Sequence, residues 1–118
     1  MELVITTDHV VGRTIVAVEG EVDIATAGEL DAVLSAEIAD GHTNVVVDLS
    51  KVGFLDSTGL GVLIKALKRT READGSLAVV TDSQRVLKVF RITGLDSVVP
   101  LFASLEAALA AQADTLAD

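Results

Sequence analysis

The period of the apolar residues changes several times along this chain, and that alternation confines the fold more tightly than any other feature. Leu3-Val4-Ile5 and Thr14-Ile15-Val16-Ala17-Val18 are β-branched runs separated by a segment ending in Gly12, the pattern of a hairpin. From Gly20 onward Leu30, Val33, Leu34 and Ile38 fall at helical spacing, with Asp23 or Thr26 available as caps and Gly41 as the stop. Asn44 to Leu49 returns to a buried strand, and Leu60, Leu63, Ile64 and Leu67 then mark a second helix that opens at Ser57 and runs to Asp74-Gly75. Leu77 to Val80 predicts another strand. Ser83 is placed to cap a third helix, with Val86, Leu87 and Phe90 inward and Gly94 at its end. Val98-Val99 predicts a last extended segment, and Ser104 opens an Ala- and Leu-rich helix that frays near Asp114.

Strands alternating with helices in this order predict an α/β domain with a mixed β-sheet, a hairpin at one edge, right-handed crossovers and about four packed helices. At 118 residues there is room for one such domain, spanning 1–118, and no repeat or linker divides it; the single proline, Pro100, comes too late to do so. Half of the residues are hydrophobic, yet only Phe54, Phe90 and Phe102 are aromatic, so the core is expected to be aliphatic. Parallel strands place their carboxyl ends on one rim, where function sits in open α/β sheets. The segments expected there are Gly20-Glu21-Val22-Asp23, then Phe54 to Gly61, then Thr81-Asp82-Ser83.

Charge removes several classes of partner. Eighteen acidic against nine basic residues leave a formal charge of −9, all of it in the first half: residues 1–56 hold eleven acids against Arg13 and Lys51. Such a surface repels phosphate backbones and anionic headgroups, which argues against nucleic acid and membrane as partners. The absence of cysteine excludes disulfides and thiolate chemistry. The Met1-Glu2 opening has no basic leader, and no apolar run nears the ~20 residues of a membrane span, so the cytoplasm is the expected compartment.

Of the rim residues, Ser57 carries the most information. A serine at a helix start is ordinarily a cap. Here it is followed by Gly59 and Gly61, each costing a helix ~1 kcal/mol relative to alanine, which a segment shaped for stability alone would avoid. Small residues beside a hydroxyl let another protein approach closely. Enzymatic readings fail on the same residues. Leu55 stands where a hydrolase elbow needs glycine, and Lys65 comes too late to end a phosphate-binding loop. His9 and His42 read as exposed loop residues at the far end of the sheet, without a recognised metal-ligand spacing, and neither a metal nor any other cofactor is expected. Lys65, Lys68, Arg69 and Glu72 on one helical face, and Arg85, Lys88 and Arg91 on another, read as solvated, stabilising surfaces rather than docking patches.

Asp48-Leu49-Ser50 and Phe54-Leu55-Asp56-Ser57-Thr58-Gly59-Leu60-Gly61, with Gly20-Glu21-Val22-Asp23 before them and Thr93-Gly94-Leu95 after, resemble the STAS-domain anti-sigma-factor antagonists of bacteria over nearly the whole chain. The resemblance implies a protein without catalysis of its own. Its unphosphorylated form would bind an anti-sigma factor of the serine-kinase type and free a sigma factor. Phosphorylation at Ser57 would end that contact, and a metal-dependent serine phosphatase would restore it. Asp23, Asp56, Ser57, Thr58 and Gly59 would form the partner-binding turn, with Thr58 where a second serine often stands. The same family implies an alternative, a STAS subunit of a larger lipid-transport or signalling assembly. An aspartyl-phosphate receiver built on Asp48 has no convincing acidic pair after the first strand and no lysine after the last.

Overall fold

The computed structural model describes residues 3–10 and 12–117, the last six as helical backbone. The hairpin is present as β1 (Val4–Val10) and β2 (Arg13–Val22), paired antiparallel with Val10 opposite Arg13. Then follow α1 (Ala27–Ala39), β3 (Asn44–Leu55), α2 (Ser57–Glu72), β4 (Ser76–Val80), α3 (Gln84–Thr93), a 3₁₀ turn (Leu95–Ser97), β5 (Leu101–Phe102) and α4 (Leu105–Ala117). The strands lie in the order β1-β2-β3-β4-β5, and every pairing after the first is parallel. The fraying expected near Asp114 falls on side chains outside the described residues.

Three successive crossovers advance in one direction across the sheet, so right-handed connections place α1, α2 and α3 on one face. Leu30 and Leu34 of α1, Leu63 and Leu67 of α2, and Val86 and Phe90 of α3 bury there against Val16, Val18, Val45, Val47, Leu77 and Val79. Each such side chain stabilises the fold by roughly 1.5–3 kcal/mol relative to exposure. Strand alternation turns Val46 and Val80 to the other face, where Ala108, Leu105 and Leu109 of α4 and Phe102 cover them. Leu87, expected inward, is only half-buried, and Val89 packs against the core instead.

Two boundaries differ from the sequence reading. β3 continues six residues past Leu49. Ser50, Lys51 and Gly53 interrupt the apolar run, yet Val52 and Leu55 remain buried, because two register shifts against β2 insert extra residues in β3. Those bulges stretch the inward spacing from two residues to three, which hides a strand from a period-two reading. The last strand lies at Leu101–Phe102, not Val98-Val99, since Leu95–Ser97 coils first. Pro100 has no N–H to give; its carbonyl accepts the Val79 N–H at 2.9 Å and guides the chain into the sheet.

Candidate functional site

The long β3 decides where the site is. β2 and β3 finish side by side, Glu21 opposite Phe54 and Val22 opposite Leu55, and the Asp56 N–H then donates to the Val22 carbonyl at 3.1 Å. The turn after β2 and the start of α2 are thereby fastened together. β4 ends opposite Asp48, seven residues before the end of β3. At ~3.3 Å per residue this puts the Thr81-Asp82-Ser83 segment about 20 Å back along the strand. Of the three segments expected on one rim, the structure unites the first two and leaves out the third. Thr81 is buried and its hydroxyl receives the Ser83 N–H, while Ser83 caps α3 by accepting the Val86 N–H, so that segment serves the fold.

Asp23 organises the first turn. Its Oδ1 accepts the N–H groups of Ala25 (2.9 Å) and Thr26 (3.2 Å), and the buried Thr26 hydroxyl accepts the Asp23 N–H and donates to the Glu21 carbonyl. This exchange fixes the approach to α1 and leaves Ile24 at its apex, 82 % exposed.

Asp56 organises the second. It is the N-cap of α2: its Oδ1 accepts the backbone N–H groups of Thr58 (2.9 Å) and Gly59 (3.2 Å) and the Thr58 hydroxyl. The Thr58 hydroxyl is the largest influence holding the Asp56 carboxyl below the usual range, with the backbone N–H groups of Gly59, Thr58 and Ile24 adding to it against a smaller loss of hydration.

Ser57 is thus the first residue of the helix and does not cap it. It is exposed, and among the described residues its hydroxyl makes no hydrogen bond. A serine relieved of capping by the aspartate before it, standing at the positive end of a 16-residue helix, is available to a second macromolecule. Thr58 is half-buried and its hydroxyl proton is given to Asp56, so the two adjacent hydroxyls differ in kind.

The two glycines also differ. Gly59 is buried, and a Cβ there would collide with Leu55 Cδ1 and come within 2.7 Å of Val22 Cγ1; this glycine lets α2 sit against the ends of β2 and β3 and shapes the turn from beneath. Gly61 is exposed and a Cβ there would meet nothing. Sequence reasoning missed Ile24, and it placed Phe54 on the rim without giving it a role; Phe54 is 38 % exposed and two residues before Asp56. The signal was available: both are large apolar residues beside turn-forming acids, where burial is hard to arrange.

Of the two basic faces, one residue makes a described ion pair, and Arg71, outside both, a hydrogen bond. Lys65 reaches from α2 to Asp31 of α1 at 3.1 Å, and Arg71 donates to the Val98 carbonyl, also at 3.1 Å. Among the described residues Lys68 and Glu72 do not close into an ion pair. No described helix is long and apolar enough to cross a membrane.

Fold and rim together define a small sheet-and-helix module that presents a serine at a helix start, and comparison with known proteins agrees. The STAS domain family matches residues 2–108. BtrV of Bordetella bronchiseptica, which carries the name anti-sigma factor antagonist, is 36 % identical over 107 residues, 91 % of this chain and 92 % of its own. The anti-sigma-B factor antagonist of Staphylococcus aureus is 40 % identical over 80 residues, 68 % of this chain and 74 % of its own. The crystal structure of an anti-sigma factor antagonist from Mycobacterium paratuberculosis superposes with a TM-score of 0.83 at 32 % identity and covers 92 % of each chain. The chain belongs to the STAS-domain family of anti-sigma-factor antagonists.

Proposed function

We propose that the unphosphorylated chain binds an anti-sigma factor of the serine-kinase type through the rim around Ser57 and so releases a sigma factor. That kinase then moves the γ-phosphoryl group of ATP onto Ser57 Oγ, leaving ADP and ending the contact, and a metal-dependent serine phosphatase hydrolyses the ester to restore it. The chain acts by binding, and ATP and metal belong to its partners. Such an exchange places it in the cytoplasm. The observation that carries this reading is the Ser57 hydroxyl itself, exposed and relieved of capping by Asp56, on a rim that also exposes the apolar Ile24 and Phe54.

Ile24 and Phe54 supply apolar area of the sort that anchors interfaces, and the acids Asp23 and Asp56 fix the turns that present it. A phosphoryl group on Ser57 adds about −1.5 to −2 charges. The helix dipole favours it, but it stands next to the Asp56 carboxylate and in the middle of the contact. A dianion left desolvated there, or set against partner acids, costs several kcal/mol, and each ~1.4 kcal/mol is tenfold in affinity. No change of fold is required. Thr58 keeps its hydroxyl engaged with Asp56, which favours Ser57 as the acceptor.

The test uses the anti-sigma kinase of the same cell with ATP, followed by mass spectrometry of the modified chain. One phosphate on Ser57 is expected, lost in Ser57→Ala and kept in Thr58→Val. Because this chain has no Trp or Tyr, the partner's own fluorescence reports binding, and phosphorylation should weaken it by about 100-fold or more. Equal phosphorylation of Ser57→Ala, or equal affinity of both forms, overturns the reading.

A further inference from the structure

At the opposite end of the sheet from Ser57, the fold assembles a cluster that the spacing of its members along the chain conceals. His9 lies near the end of β1, Glu37 in the last turns of α1, and His42 in the connection from α1 to β3. His9 is a strand residue rather than a loop residue. It pairs with Thr14, whose side chain is buried, and paired residues share a face, so His9 points toward α1. Glu37 Oε2 lies 3.1 Å from His9 Nε2 and 2.6 Å from His42 Nδ1, and the imidazole rings stand 4.3 Å apart, centre to centre.

We propose that His9, Glu37 and His42 form a Zn2+ site with one coordination position open to solvent. The ligand atoms these residues offer all lie within 4.8 Å of one another. Zinc–ligand distances of about 2.0–2.1 Å in a tetrahedron require edges of about 3.3–3.4 Å. The two Glu37 edges, at 3.1 and 2.6 Å, are shorter than this and the edge between the two ring nitrogens is bounded only by 4.8 Å, so the three side chains must rotate to admit the ion. Two imidazoles and a carboxylate are a borderline-soft set that suits Zn2+ and disfavours Mg2+. The imidazole side chains are 48 % and 42 % exposed, so the other nitrogen of each ring can face water, while Glu37, 15 % exposed, is the most enclosed of the three. Each ring nitrogen that takes the metal must carry no proton when the ion enters. Arg13, the cation closest in sequence, donates to the Leu109 carbonyl of α4, the helix that covers the other face of the sheet, although it also borders the cleft beside the histidines. A cleft of about 230 Å³, lined by His9, Arg13, Thr14, Gly41, His42 and Asn44 among others, gives access to the cluster.

The ion would join an edge strand, a helix end and a loop that are 28 and 5 residues apart in sequence, and its effect would be to hold the hairpin against α1. The open position would let a side chain of a partner, or water, complete the shell. Equilibrium dialysis and calorimetry of the intact chain with Zn2+ alone should find one strong site per chain. At a free concentration about 100-fold above the dissociation constant, Tm should rise by roughly 10 °C, and Mg2+ should do nothing. Co2+ in its place should give the intense visible absorption of a tetrahedral complex.

His9→Gln and His42→Gln should each weaken binding at least tenfold and the double variant abolish it. Circular dichroism of the metal-free variants checks that they fold. Glu37→Gln should weaken it while leaving both imidazoles in place. Ser57→Asp, at the far end of β3, should bind Zn2+ as the parent does, which separates this site from the switch. Zn2+ uptake that persists in the folded double variant, or no uptake by the parent at 100 µM free ion, overturns the proposal.

Discussion

Asp56 and Thr58 decide what Ser57 is free to do. Without the aspartate, the first-turn amides of α2 would recruit the serine hydroxyl, and the site would close on itself. The carboxyl is held below its ordinary range first by the Thr58 hydroxyl and then by backbone N–H groups. A carboxyl whose native pKa is depressed contributes stability that is present above its unfolded value and is lost as pH falls through the native one. Thr58→Val removes the leading cause at nearly constant volume. NMR titration of the Asp56 carboxyl should then show its pKa rising toward the ordinary value, and acid unfolding should begin at higher pH. Phosphorylation of Ser57 should move the same carboxyl in the same direction, by placing a second anion next to it. A carboxyl that titrates identically in parent, Thr58→Val and phosphorylated chains would show that this turn is not electrostatically coupled.

The two glycines of α2 show how one helix serves packing and contact in neighbouring turns. Gly59→Ala drives a methyl group into Leu55 and Val22, and overpacking of ~1–3 kcal/mol exceeds the ~1 kcal/mol gained in helix propensity, so Tm should fall. Gly61→Ala meets open space, keeps only the propensity gain of up to ~1 kcal/mol, and should raise Tm while weakening partner binding. A glycine that costs stability and packs against nothing is explained by what approaches it from outside, and thermal melts alongside binding titrations separate the two cases. The α2 register, its start at Ser57 and the α3 cap at Ser83 were legible in the sequence because helical period and caps are local. The extent of β3 was not. Its two bulges are set by pairing with β2, and no window of residues 44–55 alone contains that information. The exclusion of Thr81–Ser83 from the site follows from the same cause, since it depends on how far β3 outruns β4. The meeting of His9, Glu37 and His42 depends likewise on strand pairing and helix placement, which ligand spacing along the chain does not encode.

Over the whole molecule, the surplus of −9 belongs to residues 1–56, which hold β1, β2, α1, β3 and the Asp56 cap, while the basic residues sit mainly on α2 and α3. Exposed Glu19 and Glu21 and half-buried Asp23 and Asp56 follow the ends of β2 and β3 into the rim, so a partner approaching Ser57 meets negative potential before it meets Ile24 and Phe54. Opposite charge steers encounter and acts mainly on the association rate, whereas desolvated contacts set the dissociation rate. At ~0.15 M salt the screening length is about 8 Å and at ~1 M about 3 Å, so stopped-flow association should slow by about tenfold across that range while dissociation changes little. Phosphorylation separates the two rates further. A dianion strengthens the negative field that draws a basic partner, so association of the phosphorylated chain should be no slower than that of the parent. The whole loss of affinity should appear as faster dissociation, because the ester sits where the complex must exclude water. Association that collapses on phosphorylation, with dissociation unchanged, would instead mean that the phosphate acts at encounter, by repulsion from an acidic partner face, and the charge argument for the rim would be overturned.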